Sequence, residues 1–207
     1  MRSHRPAVLA RSLCYAYDGS DVLHDVSMHL DRGAVAAVAG ANGSGKSTLV
    51  ELLAGVRRPR SGSVARDGDL ALVVQRPEAP DGLPLTVADV VTMGTWAGRM
   101  AAGARRAAVA DAISRVELSG LERRPFAELS GGQRQRTLLA QGIVRRPAIL
   151  LLDEPAAGLD ARSRERTREI LAEEAARGAA VACVTHDEAS IAAADRVIRL
   201  ESGRLVA

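Results

Sequence analysis

Three short apolar runs, each ending abruptly in polar residues, set the rhythm of the chain. Ala34–Ala39, Ala148–Leu152 and Ala179–Val184 contain no internal polar position. That is the pattern of parallel strands buried on both faces. Helix-capable stretches alternate with them. Ser47–Ala54 stops at Gly55, Gly132–Val144 is ended by Arg145-Arg146-Pro147, Ala161–Ala176 stops at Gly178, and Glu188–Ala194 is short. Two strand-like segments precede this alternation, Val8–Tyr15 and Val22–Leu30, with Asp18-Gly19-Ser20 as the turn between them. Asp31-Arg32-Gly33 turns into the first buried strand. Ser63–Arg66 and Leu70–Val74 flank another turn, Asp67-Gly68-Asp69, and Val197–Glu201 with Arg204–Val206 reads as a last hairpin around Ser202-Gly203.

The texture changes in the middle. Residues 76–85 hold Pro77, Pro80, Pro84 and Asp81-Gly82, so they read as loop. Thr86 is placed to cap a helix over Val87–Met93, with Asp89 completing a capping box. Ala104–Val116 and Ser119–Arg124 are expected to be helical. The predicted fold is therefore α/β. Residues 1–75 and 131–207 make a core with a mostly parallel sheet and a small N-terminal antiparallel β lobe. Residues 76–130 make an inserted helical lobe, and 1–207 is one domain.

Composition narrows the function. There are 28 Lys+Arg against 25 Asp+Glu, giving +3. One Trp, two Tyr and one Phe are too few for a base-stacking surface, so no nucleic acid partner is expected. The cluster Arg57-Arg58-Pro59-Arg60 reads as a solvated face. Cys14 and Cys183 sit in apolar strand-like runs and read as reduced core residues of a cytosolic chain. No signal peptide and no membrane span is expected, so any membrane role comes through a partner.

Gly40-Ala41-Asn42-Gly43-Ser44-Gly45-Lys46-Ser47-Thr48 joins a buried strand to a helix and fits G-x-x-x-x-G-K-[ST]. Such glycines let consecutive N–H groups converge on one anion, and the helix N-terminus adds partial positive charge. This is the phosphate loop of a P-loop NTPase core. Lys46 is the sole lysine of the chain, a compact ammonium placed where a β- and γ-phosphate clamp is needed. The Ser47 hydroxyl suits Mg²⁺. The other two buried strands end in Asp153-Glu154 and in Thr185-His186-Asp187. Open parallel sheets bind ligands at the carboxyl ends of their strands, so these groups aim at one crevice. Asp153 suits the metal ion beside Ser47, and Glu154 can take a proton from an attacking water. His186 can reach a γ-phosphate or orient that water.

Leu129-Ser130-Gly131-Gly132-Gln133 resembles the signature motif of ATP-binding-cassette (ABC) ATPases. It lies between a Walker A loop and a Walker B strand, Ile149–Pro155, in the family's order, and the likeness runs from about Val8 to Val206. The resemblance implies ATP and Mg²⁺ as cofactors. It implies that Gln75 is the Q-loop glutamine that senses Mg²⁺ and the membrane partner, and that Asp160 belongs to the D-loop. His186 resembles the switch histidine, and Tyr17 stands where the family stacks an aromatic on adenine, with Tyr15 as second choice. Ser130, Gly131, Gly132 and Gln133 would face the γ-phosphate of a second ATPase subunit in a head-to-tail dimer, of this chain or of a similar one. Ala156, Ala157 and Gly158 depart from the commoner D-loop lead-in without touching a catalytic position.

Most such ATPases drive membrane transporters. An integral membrane permease is expected to dock near residues 76–100, where Leu83, Leu85, Val87, Val90, Val91, Met93 and Trp96 either supply apolar surface or simply pack the helical lobe. The chain is then cytoplasmic and peripheral on the inner face of the membrane, with a solute-binding protein as a further partner. No C-terminal regulatory domain is expected. The run Leu85–Gly94 and the run Glu128–Arg136 look like those of importers of divalent metals such as zinc or manganese. Iron chelates and small molecules are the alternatives, as is a soluble cassette protein of translation, DNA repair or cluster assembly. The sole lysine yields the first test: Lys46→Ala is expected to lower ATP affinity about 100-fold or more, the loss of two charge-assisted contacts. Tight binding retained in a titration overturns the clamp.

Overall fold

The computed structural model describes residues 6–74, 84–98 and 100–206. Two sheets organise it. In the first, β1 (Pro6–Tyr17) lies between β2 (Ser20–Asp31) and β4 (Ser61–Arg66), antiparallel to both. Leu13, Leu23, Val26, Met28 and Leu30 are buried while Arg11, Ser12, Asp25 and Ser27 face water, the alternation of a sheet packed on one face. Both long strands run a few residues beyond the segments expected from the pattern.

The second sheet has the order β5-β6-β7-β3-β8-β9. Its strands are β3 (Ala34–Ala39), β5 (Leu70–Val73), β6 (Ile149–Asp153), β7 (Ala180–Val184), β8 (Arg196–Glu201) and β9 (Arg204–Val206). All neighbours are parallel except β9, which folds back on β8. The central strands serve two cores at once. Leu150, Leu152, Val181 and Cys183 pack with the helices on one side, and Ile149, Leu151, Ala182 and Val184 pack with the antiparallel lobe on the other. That double burial is why these runs carry no polar residue. Burial also pushes the Cys183 thiol up to about 12, so it rests as an inert core group.

The helices are α1 (Lys46–Ala54), α2 (Val87–Met93), α3 (Ala102–Arg115), α4 (Gly131–Ile143), α5 (Ala161–Ala176) and α6 (Glu188–Ala193). Thr86 caps α2 in the predicted capping box, its hydroxyl accepting from the Asp89 N–H at 3.2 Å while the Asp89 carboxylate takes the Thr86 N–H at 2.9 Å. Apolar residues of α2, α3 and α4 join the core under β5 and β6. The end of α3 is fastened to α5 by charge: Arg115 pairs with Glu173 and with the fully buried Glu174, both at 2.7 Å, and Arg177 pairs with Glu174 from the other side.

Two expectations need correction. Ser119–Arg124 forms successive turns instead of a helix, because Gly120 takes a left-handed φ of 87° and the Glu122 carboxylate binds its N–H at 3.0 Å. Arg57 is no freely solvated side chain: its guanidinium pairs with Glu51 and lies over the Tyr17 ring, 4.7 Å from the centroid. The loop around Pro77 and Pro80, with Gln75 and Leu83, lies outside the described residues.

At the close of α2, Gly94 meets α4 so closely that any Cβ would run into the Gln141 carbonyl oxygen. Gly94→Ala is expected to destabilise the fold by about 1–3 kcal/mol, read from the urea midpoint. An unchanged midpoint would show that the two helices can part without cost.

Candidate functional site

The phosphate loop leaves β3 at Gly40, and its backbone explains its glycines. Gly40, Gly43 and Gly45 take φ values of 150°, 78° and 100°. At Gly40 a Cβ would also collide with the Leu200 carbonyl of β8. With Gly45 at the N-cap and no side-chain cap, the first-turn N–H groups of α1 are left to an outside acceptor. The first turn carries no acidic residue. Lys46 is buried and folds back over the loop, Nζ donating to the Gly40 and Ala41 carbonyls at 2.9 and 2.8 Å. Ser44 Oγ is buried and has no hydrogen-bond partner. Orphaned donors, a buried ammonium and a glycine cradle fit a polyphosphate.

Beside the loop, the strand ends converge as the parallel register dictates. Asp153 at the end of β6 pairs with Val184 of β7, which in turn pairs with Val38 of β3. Burial holds the Asp153 carboxyl above its ordinary range, and the neighbouring charge of Glu154 adds to this, while a hydrogen bond from Ser47 opposes it. A carboxylate that is costly to ionise unaided, bonded to a serine hydroxyl, is a hard-oxygen pair suited to Mg²⁺. Among the described residues no three of His, Cys, Asp and Glu gather as a metal cluster.

Glu154 takes a left-handed φ of 49° and its N–H donates to the Val184 carbonyl at 3.1 Å. It lines two adjoining clefts. One, about 530 Å³, holds Lys46, Ser47, Thr48 and Tyr17. The other, about 500 Å³, holds His186, Asp187 and Arg164. The exposed His186 imidazole places Nδ1 3.7 Å from Glu154 Oε1. Asp187 caps α6, accepting from the Ser190 N–H at 2.8 Å, and Arg168 lies 3.3 Å from its carboxylate. The Ser190 bonds hold that carboxyl below its usual range.

Tyr17 borders the phosphate cleft from the β lobe. Its hydroxyl is 3.4 Å from both Thr48 Oγ1 and Glu51 Oε2, and Tyr15 meets it edge-on at 5.0 Å. The structure thus gathers Tyr17, Gly43, Lys46, Ser47, Thr48, Asp153, Glu154 and His186 around one region. It does not bring Ser130–Gln133 there. Ser130 caps α4, accepting from the Gln133 N–H at 3.3 Å and giving its own N–H to Gln133 Oε1 at 3.0 Å. Ser130 and Gly131 are exposed, and no residue of this turn lines the phosphate cleft. Asp160 likewise lies apart, capping α5 through the Ser163 N–H at 2.8 Å in a hollow shared with Arg136 and Arg162. Gln75 falls outside the described residues. Glu51 and Arg168 escaped the sequence reading, since charged side chains on a helix give no periodic signal.

Fold and site together are those of a P-loop nucleoside triphosphatase. The sequence profile of the family described as ABC transporter matches residues 23–157. The hemin import ATP-binding protein HmuV of Streptomyces coelicolor is 42% identical over 91% of this chain and 72% of its own length. The aliphatic sulfonates import protein SsuB of Cupriavidus necator is 36% identical over 96% and 67%, and the zinc import protein ZnuC of Yersinia enterocolitica 35% over 87% and 70%. A solved structure of CbiO1 from Clostridium perfringens, part of the transporter complex CbiONQ, superposes with a TM-score of 0.83 at 29% identity, covering 98% of this chain and 87% of that one. This chain belongs to the ATP-binding cassette family of ABC transporters. It binds and hydrolyses ATP.

Proposed function

We propose that this chain is the motor subunit of an ABC importer, and that its site is completed only by a second subunit. The observation that carries this reading is the division of the site. The phosphate cleft and the cleft beside it hold loop, carboxylate and histidine, while the exposed turn at Ser130 and Gly131 lies on another part of the surface. Two chains arranged head to tail would set each Ser130–Gln133 turn on the other's phosphate, an isologous contact that buries two nucleotides.

In that arrangement Lys46 and the N–H groups of Gly40–Thr48 hold the β- and γ-phosphates. Ser47, Asp153 and Gln75 would hold Mg²⁺, which supplies charge neutralisation on the phosphates. Glu154 takes the proton of the attacking water, a role worth roughly 10²–10⁴-fold in rate. His186, 3.7 Å from Glu154, orients that water or touches the γ-phosphate. Asp160 caps α5 near the seam, and Tyr17 stacks the base. Turnover separates the halves and resets the clamp.

The permease is proposed to dock near residues 76–100, where Trp96 is 70% exposed. No helix among the described residues is long and apolar enough to cross a membrane. The chain is proposed to reach the cytoplasmic face of the membrane through that partner. A solute-binding protein would deliver the cargo. We retain a metal as cargo, with a chelated form favoured over bare zinc or manganese, because the hemin-import relative is more similar than the zinc-import one. The sulfonate-import relative supports a small organic anion as the second reading. Purifying the intact membrane complex and measuring which of haem, zinc, manganese or an alkanesulfonate stimulates its ATPase decides between them.

Two substitutions test the site. Glu154→Gln is expected to cut turnover about 10²–10⁴-fold and to trap an ATP-bound dimer visible by size-exclusion chromatography; unchanged turnover refutes the base. Ser130→Arg is expected to leave ATP binding by the monomer intact while abolishing that dimer, and dimer formation by the variant refutes the head-to-tail arrangement.

A further inference from the structure

The arginine of the loop after α1 makes contacts that the chemistry above leaves unused. Arg57 lies over the ring of Tyr17, 4.7 Å from its centroid, and 5.9 Å from that of Tyr15. Its Nη1 is 3.3 Å from the Tyr15 hydroxyl, and its Nε pairs with Glu51. Glu51 stands on α1, the helix that opens at Lys46, and its Oε2 is also 3.4 Å from the Tyr17 hydroxyl. The same hydroxyl is 3.4 Å from Thr48 Oγ1 of the phosphate loop. Tyr17 borders the phosphate cleft whereas Arg57 does not. The guanidinium therefore holds the ring from outside the cleft.

We propose that Arg57 is a positioning residue for the nucleotide base: by stacking on Tyr17 and pairing with Glu51, it fixes the ring that the base must meet. The proposal rests on the reading of Tyr17 as the base platform. Two physical effects act together. A cation over the outer part of an aromatic ring is attractive and limits the ring's rotation, so less freedom is lost when a base stacks on it. Neutralising Glu51 removes a bare carboxylate from the flank of a site that takes a polyanion, and Glu51 is close enough for its charge to act on Asp153. Tyr15 also packs on Tyr17, edge-on at 82°. Stacking reads no hydrogen-bond pattern, so the effect should be shared by all purine nucleotides and absent for a ligand without a base.

The test is equilibrium binding by the full chain, with Mg²⁺ present, of ATP and of inorganic tripolyphosphate. Parent, Arg57→Met, Arg57→Lys and Tyr17→Ala are compared, each checked for an unchanged melting temperature. Arg57→Met is expected to weaken ATP about three- to tenfold while tripolyphosphate binding stays within twofold. Arg57→Lys, which keeps a cation, is expected to recover part of the ATP loss. If Tyr17→Ala weakens ATP and Arg57→Met does not, the role of Arg57 is refuted and the platform stands. If Arg57→Met weakens tripolyphosphate as much as ATP, the residue merely supports the loop, and the proposal fails. If Tyr17→Ala leaves ATP affinity unchanged, the platform itself falls, and the proposal with it.

Discussion

Parallel pairing of β3, β7 and β6 is the constraint on which the rest of the molecule depends. Val38 opposes Val184, and Val184 opposes Asp153. That register puts the phosphate loop, the acidic pair and Thr185-His186 at one edge of the sheet within reach of one another. A slip of a single residue would turn each alternate side chain to the opposite face and send Asp153 away from Ser47. The register is held by burial on both faces, with Leu150 and Leu152 committed to one core and Ile149 and Leu151 to the other. The hydrophobic effect thereby sets the geometry of a polar site.

Much of this was legible in the sequence, for a physical reason. Ala34–Ala39, Ala148–Leu152 and Ala179–Val184 had to be uninterrupted because nothing polar survives between two cores, and their ends had to be polar because the chain there meets water and ligand. The phosphate loop was equally plain, since each glycine answers to a backbone angle or a close approach that a Cβ would spoil. What the pattern concealed was non-local. No property of Ser63–Arg66 announces that it pairs with β1 and leaves β5 to another sheet. Gly120 and Glu122 turn Ser119–Arg124 away from a helix through a local side-chain bond that competes with the helical ladder. Arg57 looks like any solvated arginine until Tyr17 arrives from forty residues earlier in the chain.

The phosphate loop and the Ser130 turn differ in how they are held. The phosphate loop is rooted in the sheet and tied by Lys46 to its own carbonyls. The Ser130 turn belongs to α4, whose neighbours α2 and α3 form the helical region, and its rigidity comes from a reciprocal bond with Gln133. Arg115, Glu173, Glu174 and Arg177 bolt that region to α5. Within this ion cluster only Glu174 is fully buried, so leaving that carboxylate without an arginine partner is costly.

Glu154 carries a last consequence. Its left-handed backbone, the bond from its N–H to Val184 and the proline that follows together set where its Cα–Cβ bond points. For a residue other than glycine that conformation costs roughly 1–2 kcal/mol, which the surrounding sheet must supply. The direction in which the side chain leaves the backbone is thus a property of the main chain, and any side chain placed at this position inherits it. Charge and aim are separable here: exchanging the head group alters the chemistry while leaving the scaffold's line of fire untouched.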